Sequence, residues 1–303
     1  MMNVTNGIIP PMITPLTEDD RLDHGGLENL IEHLIGGGVH GLFILGTTGE
    51  GPSLPGALRR ELMEATCSQV DGRVPVLVNI TDTSYKASVA MAETAKECGA
   101  DAVVVAPPFY FRITQRELCD YTRHLLEELP LPALLYNNPS LTKVAFQLEP
   151  LRDLLQHPGI AGFKDSSGDL VYFHKLKKMA DSRDIPLFVG PEELLMDVLV
   201  MGGAGGVPGG ANIFPSLYVD LFDSVKTGDI SRGRTLHQKI MQLSETVYGM
   251  TAYGSSDITG GIKTALSLLD VCGSHVSAPL QNVSRERARL IEAFITKQTS
   301  DDE

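Results

Sequence analysis

Tryptophan is absent from this chain of 303 residues, and cysteine occurs only four times. Cations are in deficit: Lys+Arg is 25 against 38 for Asp+Glu, a formal net charge of −13. That deficit excludes the footprint of a nucleic-acid binder, which needs clustered Lys and Arg at phosphates. It also offers no attraction to anionic lipid surfaces. Cys67, Cys98, Cys119 and Cys272 contain no CxxC pair, so neither a zinc knuckle nor a redox pair is expected. A chain this long needs no disulfide staples, and the expected location is cytoplasmic. No apolar run approaches the ~20 residues that span a membrane. The N-terminus, MMNVTNGIIPPMITPL, has no basic region ahead of its short apolar run and does not read as a signal peptide. The eight histidines show no metal-ligand spacing, so no metal is expected.

What is present is periodic. Short apolar runs recur at Gly7–Ile13, Gly41–Leu45, Val74–Ile80, Asp101–Ala106, Pro132–Asn137, Gly159–Lys164, Ile185–Gly190 and Gly205–Pro208. Nearly all are continuously apolar, as are strands buried on both faces of a parallel sheet. Helix-period segments separate them. Ser84–Cys98 carries Val89, Ala92 and Ala95 at amphipathic spacing behind Thr83 as a candidate cap, and Gln115–Leu129 and Leu170–Ala180 are similar. Eight βα units predict an α/β fold, a (β/α)8 barrel over 1–227, followed by a C-terminal helical extension over 228–303 packed on it. The rival, a doubly wound sheet, lacks its GxGxxG after the first strand, where Pro10-Pro11-Met12 stands instead. The tail Gln298–Glu303 is expected to fray.

Barrel chemistry sits where strands run into βα loops. Lys164 ends the apolar run Ile160–Phe163. A free lysine of ordinary pKa is neutral about once in 2500 molecules at pH 7, and burial raises that fraction. A neutral amine can attack a carbonyl and form a Schiff base. The alternative is a solvated strand-end lysine. Tyr136 ends the neighbouring strand, where a phenol can relay protons. Gly46-Thr47-Thr48-Gly49 offers amides and hydroxyls to a carboxylate, or is simply a tight turn. Glu50 reads as structural. So does the run His174–Lys178, as a solvated helix face. Asp257 and Lys263 read as surface charges at a helix start.

In this order, GTTGE after strand two, YNxP after strand five and GFKDS after strand six resemble the dihydrodipicolinate synthase / N-acetylneuraminate lyase family over nearly the whole chain. The resemblance implies a (β/α)8 barrel acting on 2-oxo acids such as pyruvate, with no cofactor because the imine is the electrophile. It implies Lys164 as the Schiff-base lysine, Tyr136 as proton relay, and Thr47 and Thr48 at the relay and the carboxylate. It makes Tyr110 a group inserted into a neighbouring subunit's site, hence a homo-oligomer, and Val207 a backbone-carbonyl contact. Ser166 is a candidate hydroxyl partner. Glu192 and Glu193 align with a stretch that holds sugar hydroxyls in sialic acid lyases, although adjacent side chains are not expected both to face the mouth. Two positions depart. Leu141 stands where the synthases carry a carboxylate-gripping arginine, with Lys143 two residues beyond, and Asn138 replaces an aliphatic residue. The expectation is a class I lyase joining or cleaving pyruvate and an aldehyde, as in a 2-keto-3-deoxy sugar acid. The rivals are dihydrodipicolinate synthesis, a 2-oxo acid dehydratase or deaminase, and a catalytically silent 2-oxo acid sensor.

Overall fold

The structure, a computed structural model, describes residues 5–249 and 254–301. Eight parallel strands, β1 (Gly7–Ile8), β2 (Leu42–Ile44), β3 (Val76–Asn79), β4 (Ala102–Val105), β5 (Ala133–Asn137), β6 (Ile160–Asp165), β7 (Leu187–Val189) and β8 (Gly205–Gly206), follow one another in space, with β1 against β8. The ring closes between the first and second runs by backbone bonds rather than a full ladder. Met12 N–H donates to the Phe43 carbonyl at 2.9 Å and Phe43 N–H to the Pro10 carbonyl at 3.0 Å. Pro10 and Pro11 carry no N–H and cut the expected first strand short there.

Between strands lie α1 (His24–Gly36), α2 (Gly56–Val70), α3 (Tyr85–Glu97), α4 (Gln115–Glu128), the short α5 (Pro139–Thr142), α6 (Leu148–Leu154), α7 (Leu170–Asp181) and α8 (Leu195–Val200). Beyond β8 come α9 (Pro215–Lys226), α10 (Ile230–Val247), α11 (Ser255–Leu268) and α12 (Arg285–Asp301). Ser84, not Thr83, caps α3, its hydroxyl accepting from Ala87 N–H. Helix α12 continues through the stretch expected to fray as far as Asp301; residues 302–303 lie outside the described residues. No helix among the described residues is long and apolar enough to cross a membrane.

Side-chain parity divides the strands between two cores. Val103 and Val105, Ala133 and Leu135, and Phe163 face the helices. Ala102, Val104, Leu134, Tyr136 and Phe188 join Ile9, Phe43, Leu77 and Val207 inside the ring. Tyr136 therefore points inward, and so does its register partner Lys164, one step along from outward-facing Phe163.

The C-terminal helices reach into the barrel mouth. Lys263 was expected on the surface at a helix start, and this is corrected: it lies mid-way along α11 with 0% exposure. Its ammonium meets Glu50 Oε1 at 2.5 Å and donates to the His275 carbonyl at 2.6 Å. Glu50 Oε2 accepts the Ser277 N–H at 2.6 Å. Burial holds the Lys263 pKa below the ordinary lysine value, against the pull of Glu50.

Candidate active site

Lys164, 5% exposed, sits at the floor of the mouth with its amine 4.1 Å from the Tyr136 ring centroid and 5.0 Å from that of Phe43. Burial pushes its pKa down, and the nearby phenol pulls the other way. Burial alone would raise the Tyr136 phenol. The Lys164 charge, with hydrogen bonds from Ser166, Thr47 and Asn138, overturns that and lowers it. An apolar ring thus holds an amine whose charged form burial disfavours beside a phenol whose ionisation that same charge favours.

The loop after β2 is held open by backbone geometry. Leu45 and Glu50 both adopt left-handed φ, 59° and 57°, on either side of Gly46–Gly49. Non-glycine residues persist there only when their surroundings fix them. Asn79 Nδ2 donates to the Leu45 carbonyl at 3.0 Å, Thr14 Oγ1 to the Gly49 carbonyl at 2.7 Å, and Glu50 carries the buried pair described above. Thr47 and Thr48 are thereby presented to the mouth. The loops after β5 and β6 are pinned together: Asn137 Nδ2 donates to Asp165 Oδ1 at 2.8 Å, and Ser167 Oγ to Asp165 Oδ2 at 2.7 Å. Gly190, at the end of β7, lets the Ser166 hydroxyl come close, since a Cβ there would fall 1.8 Å from Ser166 Oγ and 3.4 Å from Lys164 Cε.

A cavity of about 280 Å³ brings together Lys164, Tyr136, Thr47, Thr48, Ser166, Val207, Glu192 and Glu193. A second hollow of about 230 Å³ adjoins it, sharing Thr47, Tyr136, Asn138, Leu141 and Ser255. Both adjacent glutamates line the wall, contrary to expectation, but not with free carboxylates. Glu192, 3% exposed, accepts from Tyr218 Oη at 2.6 Å, from Gly210 N–H at 2.8 Å and from Tyr248 Oη at 3.0 Å. These bonds make it a brace between β7 and the C-terminal helices rather than an open acceptor for sugar hydroxyls. Glu193 accepts from Ser244 Oγ.

Burial, with Glu193 beside it, pushes the Glu192 carboxyl up to about 7 from an ordinary 4.5. A raised folded-state pKa adds stability that is complete below the unfolded value and is lost as pH rises through the folded one. Wild-type melting temperature should therefore fall from about pH 4.5 to about pH 7 more steeply than that of Glu192→Gln. Parallel slopes in thermal scans of the two proteins would contradict the assignment.

Tyr110 does not line either hollow. It stands 84% exposed on the surface at φ 92°, packed edge-on against Phe111. Lys143 does not replace the arginine missing at Leu141: its amine donates to the Ser140 carbonyl at 2.7 Å and lines neither hollow. Among the described residues, Lys164 is the one cation on the walls of either hollow. Sequence reasoning missed Tyr218 and Tyr248, whose role depends on the fold of α9 and α10 onto β7. It missed Lys263 despite a signal: Thr259, Ile262, Lys263 and Leu266 fall at i, i+3, i+4 and i+7, one buried helix face.

The model of the dihydrodipicolinate synthetase family matches residues 4–298. A 4-hydroxy-tetrahydrodipicolinate synthase of Methanopyrus kandleri is 30% identical over 96% of this chain and 95% of its own. A probable 2-dehydro-3-deoxy-D-pentonate aldolase of Escherichia coli K12, YjhH, is 34% identical over 80% of this chain and 81% of its own. Among solved structures, a dihydrodipicolinate synthase of Bacteroides thetaiotaomicron is 46% identical, covers 98% of this chain and 100% of its own, and superposes with TM-score 0.93. YagE of Escherichia coli K12, solved with pyruvate, is 27% identical with TM-score 0.91, covering 97% and 98%. The chain belongs to the dihydrodipicolinate synthetase family, lyases that act on pyruvate through a lysine Schiff base.

Proposed function

We propose that the chain joins or cleaves pyruvate and an uncharged hydroxyaldehyde, as in a 2-keto-3-deoxy sugar acid, with Lys164 as the nucleophile. The observation that carries this is the Lys164 amine, buried against Tyr136 in a cavity whose remaining walls offer hydroxyls and amides but no second cation among the described residues. The amine attacks the C2 carbonyl, water leaves, and a protonated imine forms. The Thr47–Thr48 turn receives the C1 carboxylate, and the Val207 carbonyl faces the bound oxo acid. In cleavage, Tyr136 takes the C4 hydroxyl proton, the C3–C4 electrons flow into the imine, and an enamine remains on Lys164 as the aldehyde departs. Return of a proton to C3 and hydrolysis release pyruvate. Ser166 and Thr47 bond the phenol during the relay. Tyr110, exposed and conformationally strained, reaches the site of a second copy in a homo-oligomer. Four free cysteines suit a reducing, cytoplasmic setting.

The YagE–pyruvate structure supports the oxo acid, and the likeness to the pentonate aldolase supports the sugar acid. The synthases among the relatives support a second reading, condensation with aspartate semialdehyde. Leucine at 141 weighs against it, because a guanidinium's two-pronged grip on a carboxylate has no aliphatic substitute. Turnover of pyruvate with glyceraldehyde should exceed that with aspartate semialdehyde by about tenfold or more in kcat/KM. The reverse order would move the protein to the synthases. Borohydride reduction with pyruvate should add a pyruvate-sized mass to the peptide carrying Lys164. Absence of that mass would remove the Schiff-base assignment and leave the silent sensor.

A further inference from the structure

Asn138 is buried one residue beyond Tyr136-Asn137, and its side chain makes two bonds. Its Nδ2 donates to Tyr136 Oη at 2.8 Å, and its Oδ1 accepts the Ser140 hydroxyl at 2.8 Å. Its backbone is fixed at the N-cap just before α5, where its carbonyl accepts from Thr142 Oγ1 at 2.9 Å. An aliphatic residue here would leave the phenol without this donor.

We propose that Asn138 is a positioning residue for the Schiff-base reaction: its amide, turned by Ser140, donates to the Tyr136 oxygen and stabilises the phenolate that takes up the substrate proton. The inference rests on Tyr136 being the proton acceptor. A side-chain amide has one acceptor atom and two N–H groups. With Oδ1 committed to Ser140, the phenol meets only N–H, so Tyr136 cannot pass its proton to Asn138. That proton must go to Ser166, Thr47 or the bound substrate, all on the mouth side. Hydrogen bonds to a charged acceptor are about twice as strong as neutral ones. The amide therefore favours phenolate over phenol, as the Lys164 charge does, against the burial that opposes both. The opposite orientation, with Oδ1 on the phenol, would favour the protonated form and make Tyr136 a poor base.

The test compares wild type, Asn138→Leu and Ser140→Ala. One sample of each is reduced with borohydride in the presence of pyruvate, and all three should carry the adduct on the Lys164 peptide. On untreated enzyme, kcat for cleavage of a 2-keto-3-deoxy sugar acid is followed against pH. In Asn138→Leu the acid limb should move upward by about 1 to 2 pH units, and kcat at neutral pH should fall by about tenfold or more. Ser140→Ala should move it the same way by less. Because Ser140 is exposed, that variant keeps the test valid if Asn138→Leu does not fold. Limbs that stay in place or move downward, with adducts intact, overturn the role of Asn138 and leave the lyase reading standing. Failure to trap an adduct in the wild type overturns both.

Discussion

Replacing Lys164 with alanine should lower kcat by about 10⁴-fold or more and abolish the borohydride-trapped pyruvate adduct. Lys164→Met should do the same while refilling the volume between the Tyr136 and Phe43 rings. The loss is large because no neighbour can take over: the other groups that touch the cavity are hydroxyls, carboxylates, an amide and aliphatic carbon, and none forms an imine. Stability should move the other way. Burial lowers the Lys164 pKa, so the ammonium is less favourable folded than unfolded, and wild-type stability rises with pH towards the ordinary lysine value. Lys164→Met lacks this slope and should melt at least as high as wild type at neutral pH. A Lys164→Ala protein with residual turnover above about one thousandth of wild type would place the nucleophile elsewhere.

Lys263→Met should destabilise the fold by about 3–5 kcal/mol, because it removes the partner of the buried Glu50 carboxyl. That is a large share of the ~5–15 kcal/mol that holds a typical domain together. The effect should reach the reaction. Glu50 closes the strained loop that presents Thr47 and Thr48, and its other oxygen holds the Ser277 N–H. At temperatures where Lys263→Met stays folded, KM for pyruvate should therefore rise more than kcat falls. The double variant Glu50→Gln/Lys263→Met removes both charges and keeps an acceptor for Ser277, so it should recover much of the stability. Denaturant unfolding of the single and double variants measures this. An unchanged midpoint for Lys263→Met would show that the pair is not coupled to folding.

Much of this site was legible as a pattern. Continuous apolar runs spaced as βα units specify a parallel barrel, since strands covered on both faces carry no polar alternation. Parity then places Tyr136 and Lys164 on the same side as Leu134, and the neighbouring positions of β5 and β6 put them side by side. Asn138 shows where such reading stops. Its departure from an aliphatic residue is visible in the chain, but its role depends on a side-chain torsion that turns it back onto Tyr136. Glu192 is only a candidate for sugar hydroxyls in the sequence, because position alone does not reveal acceptors already occupied. Tyr218 and Tyr248 come from helices far along the chain, and only packing brings their hydroxyls to it.

By itself the sequence determined the ring of strands and the loops that form the mouth, because these follow from continuous apolar runs and period-3.6 helices acting locally along the chain, while the pair at its floor was marked by its resemblance to the family's motifs. The tertiary structure alone decided which partner meets each buried charge. Lys263 has the composition of a surface residue and the address of a core one. Its burial is tolerable only because Glu50, more than two hundred residues earlier, arrives at 2.5 Å to meet it. Long-range electrostatic pairing of this kind has no local signature, and here it ties the C-terminal helices to the loop that carries Thr47 and Thr48.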